Sequence, residues 1–595
     1  MSTDQSNLSD PRFGFDLVVA VTQKSINVTM KELLDGLSAP EVIVCYVYDS
    51  SNNLAQIPYD TLKANAKGAD PFGVADGANP ATDPSLVNLA AANFAGAFKA
   101  QIGLPDMDPT QIPPIVTLGV GTSAPVTFNL LCAEFQIVGF QYGPRGSSTW
   151  INQSEPSGAP WYFTSHVQLN TTTIDPSSPV PPAVQQRIQQ LLDTVGPQAF
   201  SVQRLFLDLD TAILLSSPTV VGIPEGWAVW NLIQSDFLGA YFTQLRATGD
   251  PALGYSFSST TPDPSTLQLG AMSRECSPLL DGSGNPIVNP TPDQANAATL
   301  DYLCATSTTP PVAVMFPWNW VELAELSDYS GIQAVRRGII VGFLANLLNP
   351  VVASLCLTPT VSLTQGSGFE DPYEVGYYIS QAPSPTTFQA TAPGTAAGSD
   401  GFTSILTLTT FSAPSSAECE ANDHLSSVNG EFNYTLTGDV AVNGNQIRLT
   451  LHAVAYMAFG HHEMGVPYHD LPGANYVDKT LTVTFQFDVS NSGSLVVNAP
   501  VPQISDASAA WNFHPEGVLS IGGNEDAVKD GVTNTNASLS SLVSTSFESY
   551  STEITAMING AQSWVFPGGK TFAFNKVAFS AFQDLVTHVT YVNPS

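Results

Sequence analysis

The chain has 595 residues, 43% of them apolar and only 12% charged, and 51 acidic against 18 basic side chains give a formal net charge of −33. The apolar fraction excludes wholesale disorder and predicts large cores. The charge excludes nucleic-acid binding through a basic patch and broad adsorption to anionic membranes, because the basic residues cluster nowhere beyond Arg336-Arg337.

Length suggests about two to four domains. The 45 Gly and 45 Pro are spread along the chain, which predicts many turns and hence many strands. Residues 1–10 are polar, without the basic and apolar regions of a secretory leader. The six cysteines, at 45, 132, 276, 304, 356 and 419, show no CxxC spacing. Both features lead to the expectation of a cytoplasmic protein with reduced thiols, whose release by a non-classical route stays open.

In chain order, Phe13–Val21 is rich in β-formers and predicts a strand, followed by a helix capped by Ser25 with Val28, Leu33, Leu34 and Leu37 on its apolar face. Asp83-Pro84 is an N-cap with proline in the first turn, opening a helix through Val87, Phe94, Phe98 and Ile102. Val184, Ile188, Leu191, Leu192 and Val195 form a helical stripe, and Trp227–Leu245 is an aromatic helix. Gly338–Leu348 reads as a buried helix closed by Asn349-Pro350, far short of the ~20 residues of a membrane span. The Pro/Ala/Ser/Thr-rich run 381–401 reads as a linker, dividing an N-terminal α+β region (1–380) from a C-terminal antiparallel sheet with a long helix (402–595).

Strands dominate that last third. Phe432, Tyr434, Leu436, Val440 and Val442 alternate with polar residues up to Asn443-Gly444, and Ile447 to Ala455 alternate after it, a strong hairpin pattern. Leu481, Val483, Phe485, Phe487 and Val489 alternate with polar partners, so one face is buried and one is wet. Leu539 to Ile558 carries the stripe of an amphipathic helix of about 30 Å.

Chemical signatures are sparse. The densest polar group is Gly460–Asp470, where His461, His462, Glu463 and His469 offer four possible zinc ligands. HExxH is absent, adjacent histidines on a strand point to opposite faces, and Gly465 and Pro467 make the segment a polar loop. Gly119–Ala124 mimics a dinucleotide fingerprint but is followed by a strand-like run. Pro567–Thr571 resembles the tail of a P-loop without its first glycine. Asp208 and Asp210 share one strand face with no third ligand nearby. Trp318, Trp320, Trp227 and Trp230 read as core aromatics, with a ligand or glycan surface as the alternative.

The segment Phe15–Asn27, a strand running through Thr22-Gln23 into a helix, resembles the opening of the tubular lipid-binding (TULIP) superfamily. Together with Phe200–Asp210 and Phe566–Phe574 it resembles, within that superfamily, the accessory proteins encoded beside clostridial neurotoxins and proteins related to them. The resemblance implies an α+β fold of more than one unit, in which long curved antiparallel sheets wrap around long helices and leave an apolar seam that takes an acyl chain. It implies no catalytic residue.

The expectation is therefore non-enzymatic binding of a lipid or other apolar small molecule in a helix–sheet seam. Periodicity places Phe485, Leu539, Phe547 and Ile554 in it, with no cofactor, no bound metal, no nucleic acid and no transmembrane segment. One alternative is a toxin-associated or structural component that binds a protein partner through seams filled by its own side chains. The other is a metal-dependent enzyme using His461, His462, Glu463 and His469.

Overall fold

A computed structural model describes residues 3–592 apart from 38, 122–124, 144–146, 175–179, 181, 183, 187, 190–199, 219, 221–222, 224–225, 248–251, 260–268, 308, 310–311, 368–372, 421–424, 491–492, 499, 516–523, 544–546, 561–563 and 566–570. The chain is a mixed α+β protein of several antiparallel sheets.

The strand Leu17–Thr22 (LVVAVT) is apolar on both faces and buried at every position, so it needs cover above and below. It lies inside a six-stranded sheet ordered Ala271–Ser277, Thr299–Ala305, Leu17–Thr22, Gly331–Val335, Leu585–Val592, Thr571–Phe579. Every pairing in it is antiparallel. The two ends of the chain thus meet in one sheet. On one face Val18, Ala20, Leu303, Ile332 and Ala334 pack beneath Phe13, Phe15, Phe316, Trp318 and Trp320. The Trp318 and Trp320 rings meet edge to face at 5.4 Å, which makes this tryptophan pair core. On the other face Leu17, Val19, Val21, Leu300 and Tyr302 join the main core.

Buried carboxylates fasten this sheet to the rest. Asp584 accepts from Ser6 Oγ (2.9 Å), Leu8 N (2.6 Å) and Arg337 N (2.9 Å). Asp16 pairs with Arg336 at 2.6 Å and accepts from Thr306 N and Oγ1.

The N-terminal half adds a five-stranded sheet (Leu54–Ile57, Val42–Tyr48, Phe94–Ile102, Cys132–Tyr142, Ser148–Ser154) and a six-stranded one built around Phe163–Ile174 and Phe200–Ser216. The helix Ala228–Ala247 packs on them, its Phe237 ring 5.1 Å from Phe135 and 4.5 Å from Phe163, as the aromatic pattern predicts. The C-terminal half contains a nine-stranded sheet whose three longest strands are Ser426–Asn443, Gln446–Glu463 and Val466–Val489, and the strand pair Leu357–Gln365 and Tyr373–Gln381.

Several elements differ from the sequence expectation. Asp83 does cap a helix, accepting from Ser85 N and Leu86 N, but that helix ends at Ala91. Phe94, Phe98 and Ile102 lie on the strand Phe94–Ile102, since a spacing of four fits a period of two as well as of 3.6. Thr22, not Ser25, caps the first helix, Gln23–Asp35, whose buried side is Ile26, Met30 and Leu34 while Val28 is exposed. The stripe Val184–Val195 falls largely outside the described residues.

The helix begun at Arg337 runs through Pro350 to Leu355, so Asn349-Pro350 does not close it. Pro350 sits on the exposed side, where the carbonyl it frees can be hydrated. At 19 residues this is the one described helix long and apolar enough to cross a membrane, yet Leu344, Leu348, Val352 and Leu355 are buried in the core. The stretch 381–401 carries the strand Phe388–Ala390, which pairs with Thr403–Leu408, and Phe388 N donates to Asn349 Oδ1.

Three buried acids give the sheet a pH dependence. Burial pushes Asp584 up to about 6, Glu275 up to about 7 and Asp301 up to about 8. Glu275 and Asp301 face each other across neighbouring strands, and Asp301 Oδ2 accepts from Ser277 Oγ and Trp320 Nε1. An unfolded carboxyl titrates near 4, so the native chain binds more protons than the unfolded one from there upward. Their stabilising contribution is complete below about pH 4 and is lost as pH rises through these folded-state values. Carboxylates held low, such as Asp400 beside Arg448, act only below that window. Urea midpoints are therefore expected to be higher at pH 5 than at pH 8, with Asp301→Asn flattening the slope. A midpoint that rises across this range in both proteins would refute the account.

Candidate functional site: the seam between helix and long sheet

The long sheet has an apolar inner face because alternation is strict. Along Gln446–Glu463 the odd-numbered positions Ile447 to Met457 are buried and the intervening ones half-exposed. Register sets these against Leu436, Val440 and Val442 on one side and Val477, Leu481, Val483 and Phe485 on the other. The first hairpin turns at Gly444 (φ +54°) and the second at Met464-Gly465, both left-handed (φ +51° and +83°).

Helix Asn524–Val543 packs against the strand Tyr373–Gln381 and over the edge of this face, with Val528, Gly531, Thr535 and Leu539 all buried and spaced by three or four residues. Gly531 is what permits the approach. A Cβ there would lie 3.0 Å from Met457 Cε, 3.0 Å from Tyr377 Cβ and 3.4 Å from Phe432 Cε1. Thr535 buries its hydroxyl by donating to the Gly531 carbonyl at 2.8 Å. A second helix, Phe547–Gly560, covers the strand Leu495–Asn498, whose Val497 N donates to Thr555 Oγ1 and whose Asn498 O accepts from Ser551 Oγ. The helical stretch expected at Leu539–Ile558 thus begins earlier, at Asn524, and is described as two helices.

Leu539 closes one end of a small apolar cavity of about 50 Å³, walled by Leu436, Leu451, Ala453 and Leu481 of the sheet, with Leu355 and Ile504 at its sides and Lys479 and Ser540 at its rim. A larger open groove of about 490 Å³ runs between helix Arg337–Leu355 (Phe343, Leu347, Pro350) and the second helix (Tyr550, Glu553). Of the residues expected in the seam, Leu539 lines the cavity. Phe485 and Ile554, each 1% exposed, are buried in the same core without lining it. The Phe547 side chain lies outside the described residues.

The histidine-rich segment is a hairpin rather than a loop. His461 and His462 stand on the last turns of a strand and face opposite sides, with His461 buried and His469 exposed across the turn. His461 Nδ1 pairs with Asp470 at 2.6 Å and its ring stacks on Tyr468 at 4.8 Å. Among the described residues no group of three or more His, Cys, Asp or Glu is placed to hold a metal. Asp470 had no sequence signal as a partner, because a bulge in the register brings it beside His461. Asp208 is held by Asn170 Nδ2, as a strand-edge residue would be.

No family model matches the chain, and no curated protein matches it. Among solved structures it is similar to a crystal structure of lipopolysaccharide binding protein, over 97% of this chain and 99% of that one, at 10% identity and a TM-score of 0.24. A likeness at that level carries no argument about ligand or mechanism, so the functional conclusion rests on the geometry of the seam.

The close approach at Gly531 yields a direct test. Gly531→Val must push the helix off Tyr377 and Met457, at a cost of about 1–3 kcal/mol. The expected outcome is faster amide exchange in 524–543 with the central sheet unchanged. Wild-type exchange throughout the helix would show that the contact does not hold it.

Proposed function

We propose that the protein binds a lipid or another long apolar ligand, without catalysing a reaction, by admitting it between helix Asn524–Val543 and the inner face of the long sheet. The supporting observation is the cavity at Leu539, whose apolar wall of Leu355, Leu436, Leu451, Ala453, Leu481 and Ile504 comes from helix Arg337–Leu355 and the long sheet, with helix Asn524–Val543 contributing Leu539 and Ser540. At about 50 Å³ it is smaller than the ~300 Å³ usual for a ligand pocket. A long chain is therefore admitted only if the helix lifts.

The helix packs chiefly on the strand Tyr373–Gln381 and meets the long sheet itself through a narrow stripe. Among its described side chains the buried ones are Asn524, Val528, Thr535 and Leu539 with Gly531 between, and Val532 is half-buried beside them, a modest apolar area. A ligand methylene buried in its place contributes about 0.8 kcal/mol, so a chain of modest length offsets the lost contacts. The groove lined by Phe343, Leu347 and Pro350, with Asn346, Ser549 and Glu553 also in its wall, is a mixed surface about 12 Å from Leu355 by the helical rise between Leu347 and Leu355. The six cysteines are unpaired thiols, five of them buried, which supports a reducing compartment within this proposal.

Native mass spectrometry and organic extraction of the purified protein test the proposal. An apolar molecule is expected to co-purify, and Leu481→Trp, which fills the cavity, is expected to reduce its occupancy while the protein stays folded. If nothing co-purifies and added fatty acids leave exchange in 524–543 unaltered, the seam is a closed core and the chain acts through protein contacts instead.

A further inference from the structure

The inward row of the strand Val466–Val489 contains one residue that does not belong in an apolar face. Val477, Leu481, Val483, Phe485 and Phe487 are buried along it, and between Val477 and Leu481 stands Lys479, sharing their face by the two-residue period. Directly across the ladder are Ala453 on one side and Asp506 on the other. The chain has 18 basic residues in all, and this one is spent at the rim of the apolar cavity.

Of the residues lining the cavity Lys479 alone is charged, with Ser540 the other polar one. Ile504 precedes Asp506 on the same side of the short strand Gln503–Asp506, and Ser540 comes from the helix, so the cavity opens between helix and edge strand with Lys479 in the opening. Lys479 is 26% exposed and its Nζ lies 2.9 Å from Asp506 Oδ2. Asp506 is 49% exposed and has its own support, since Oδ1 accepts from Ser508 N at 3.0 Å. Its carboxyl is held down to about 2 by hydrogen bonds from Ser508 and Lys479. The carboxylate would therefore stay solvated and charged if Lys479 turned away, and an exposed pair of this kind contributes little to stability.

We propose that Lys479 receives the head group of the ligand, which is a single-chain amphiphile with an anionic oxygen head, and that the head exchanges with Asp506 while the tail enters the cavity beneath Leu539. This rests on the apolar-ligand reading above and names the class of ligand. A carboxylate or a phosphate monoester supplies the same oxygens, and the ammonium of lysine accepts either as a point charge. The exchange moves no proton and breaks no covalent bond.

Calorimetric titration with dodecanoate, dodecyl phosphate and dodecanol tests it on the full chain at low salt. The wild type is expected to bind one of the two anions at least tenfold more tightly than dodecanol, and the tighter of the two identifies the head. Lys479→Met, which keeps the volume of the side chain, is expected to bring that anion and the alcohol within about twofold of each other. Asp506→Asn is expected to strengthen the anion several-fold and to leave dodecanol unchanged. If dodecanol binds the wild type as tightly as both anions, or if Lys479→Met keeps the preference, the head-group assignment falls while the apolar-ligand reading stands. If none of the three binds, both fall together. Circular dichroism of each variant confirms that the fold is retained, and Lys479→Gln repeats the test should methionine disturb it.

Discussion

The structure depends on one constraint: a strand apolar on both faces, Leu17–Thr22, must be covered on both. The chain meets it by folding Phe316, Trp318 and Trp320 over one side and the main core, with Ile26, Met30 and Leu34, against the other, while Leu585–Val592 and Thr571–Phe579 return from the far end to extend the sheet. Asp584 fixes that return. It ties the turn before the last strand to Ser6 and Leu8 at the beginning and to the first residue of helix Arg337–Leu355. Buried acceptors with three donors are costly to disrupt, so this junction sets where the C-terminal half sits.

From that junction the C-terminal half follows. The helix starting at Arg337 leads into the paired strands Leu357–Gln365 and Tyr373–Gln381, and Tyr377 of the second reaches the long sheet, donating its hydroxyl to the Ala458 carbonyl. Helix Asn524–Val543 then lies across Tyr377, Phe432 and Met457 at Gly531. The two regions differ in how they are packed. The central sheet is sealed by large aromatics and buried hydrogen bonds, whereas the helix over the long sheet is held by small side chains and leaves a gap at Leu539. In a chain so acidic, Lys479 stands beside that gap, paired with Asp506.

The His461–Asp470 pair shows how a suggestive cluster can resolve into structure. Four candidate ligands within nine residues are separated by strand geometry, since adjacent positions on a strand face opposite ways and the hairpin carries His469 to the exposed side. What remains is one buried histidine satisfied at Nδ1 by a carboxylate that the register bulge delivers.

Elements whose signal is local were legible in the residue pattern. Strict alternation over Phe432–Val442, Ile447–Ala455 and Leu481–Val489 marked the inner and outer faces of the long sheet, and the aromatic spacing of Trp227–Leu245 and the Asp83-Pro84 cap marked helices. Leu539 was legible as a seam residue because it shares a helical stripe with other apolar positions. Period alone could not separate the strand Phe94–Ile102 from a helix, nor tell that Pro350 lies within one, because both depend on which neighbours and which solvent the backbone meets. Only the tertiary structure decided that the two chain ends share a sheet, that Gly531 rather than a large residue governs the helix contact, and that Lys479 stands at a cavity mouth beside Asp506. Those facts arise from contacts between residues tens to hundreds apart, for which a single sequence carries no local pattern.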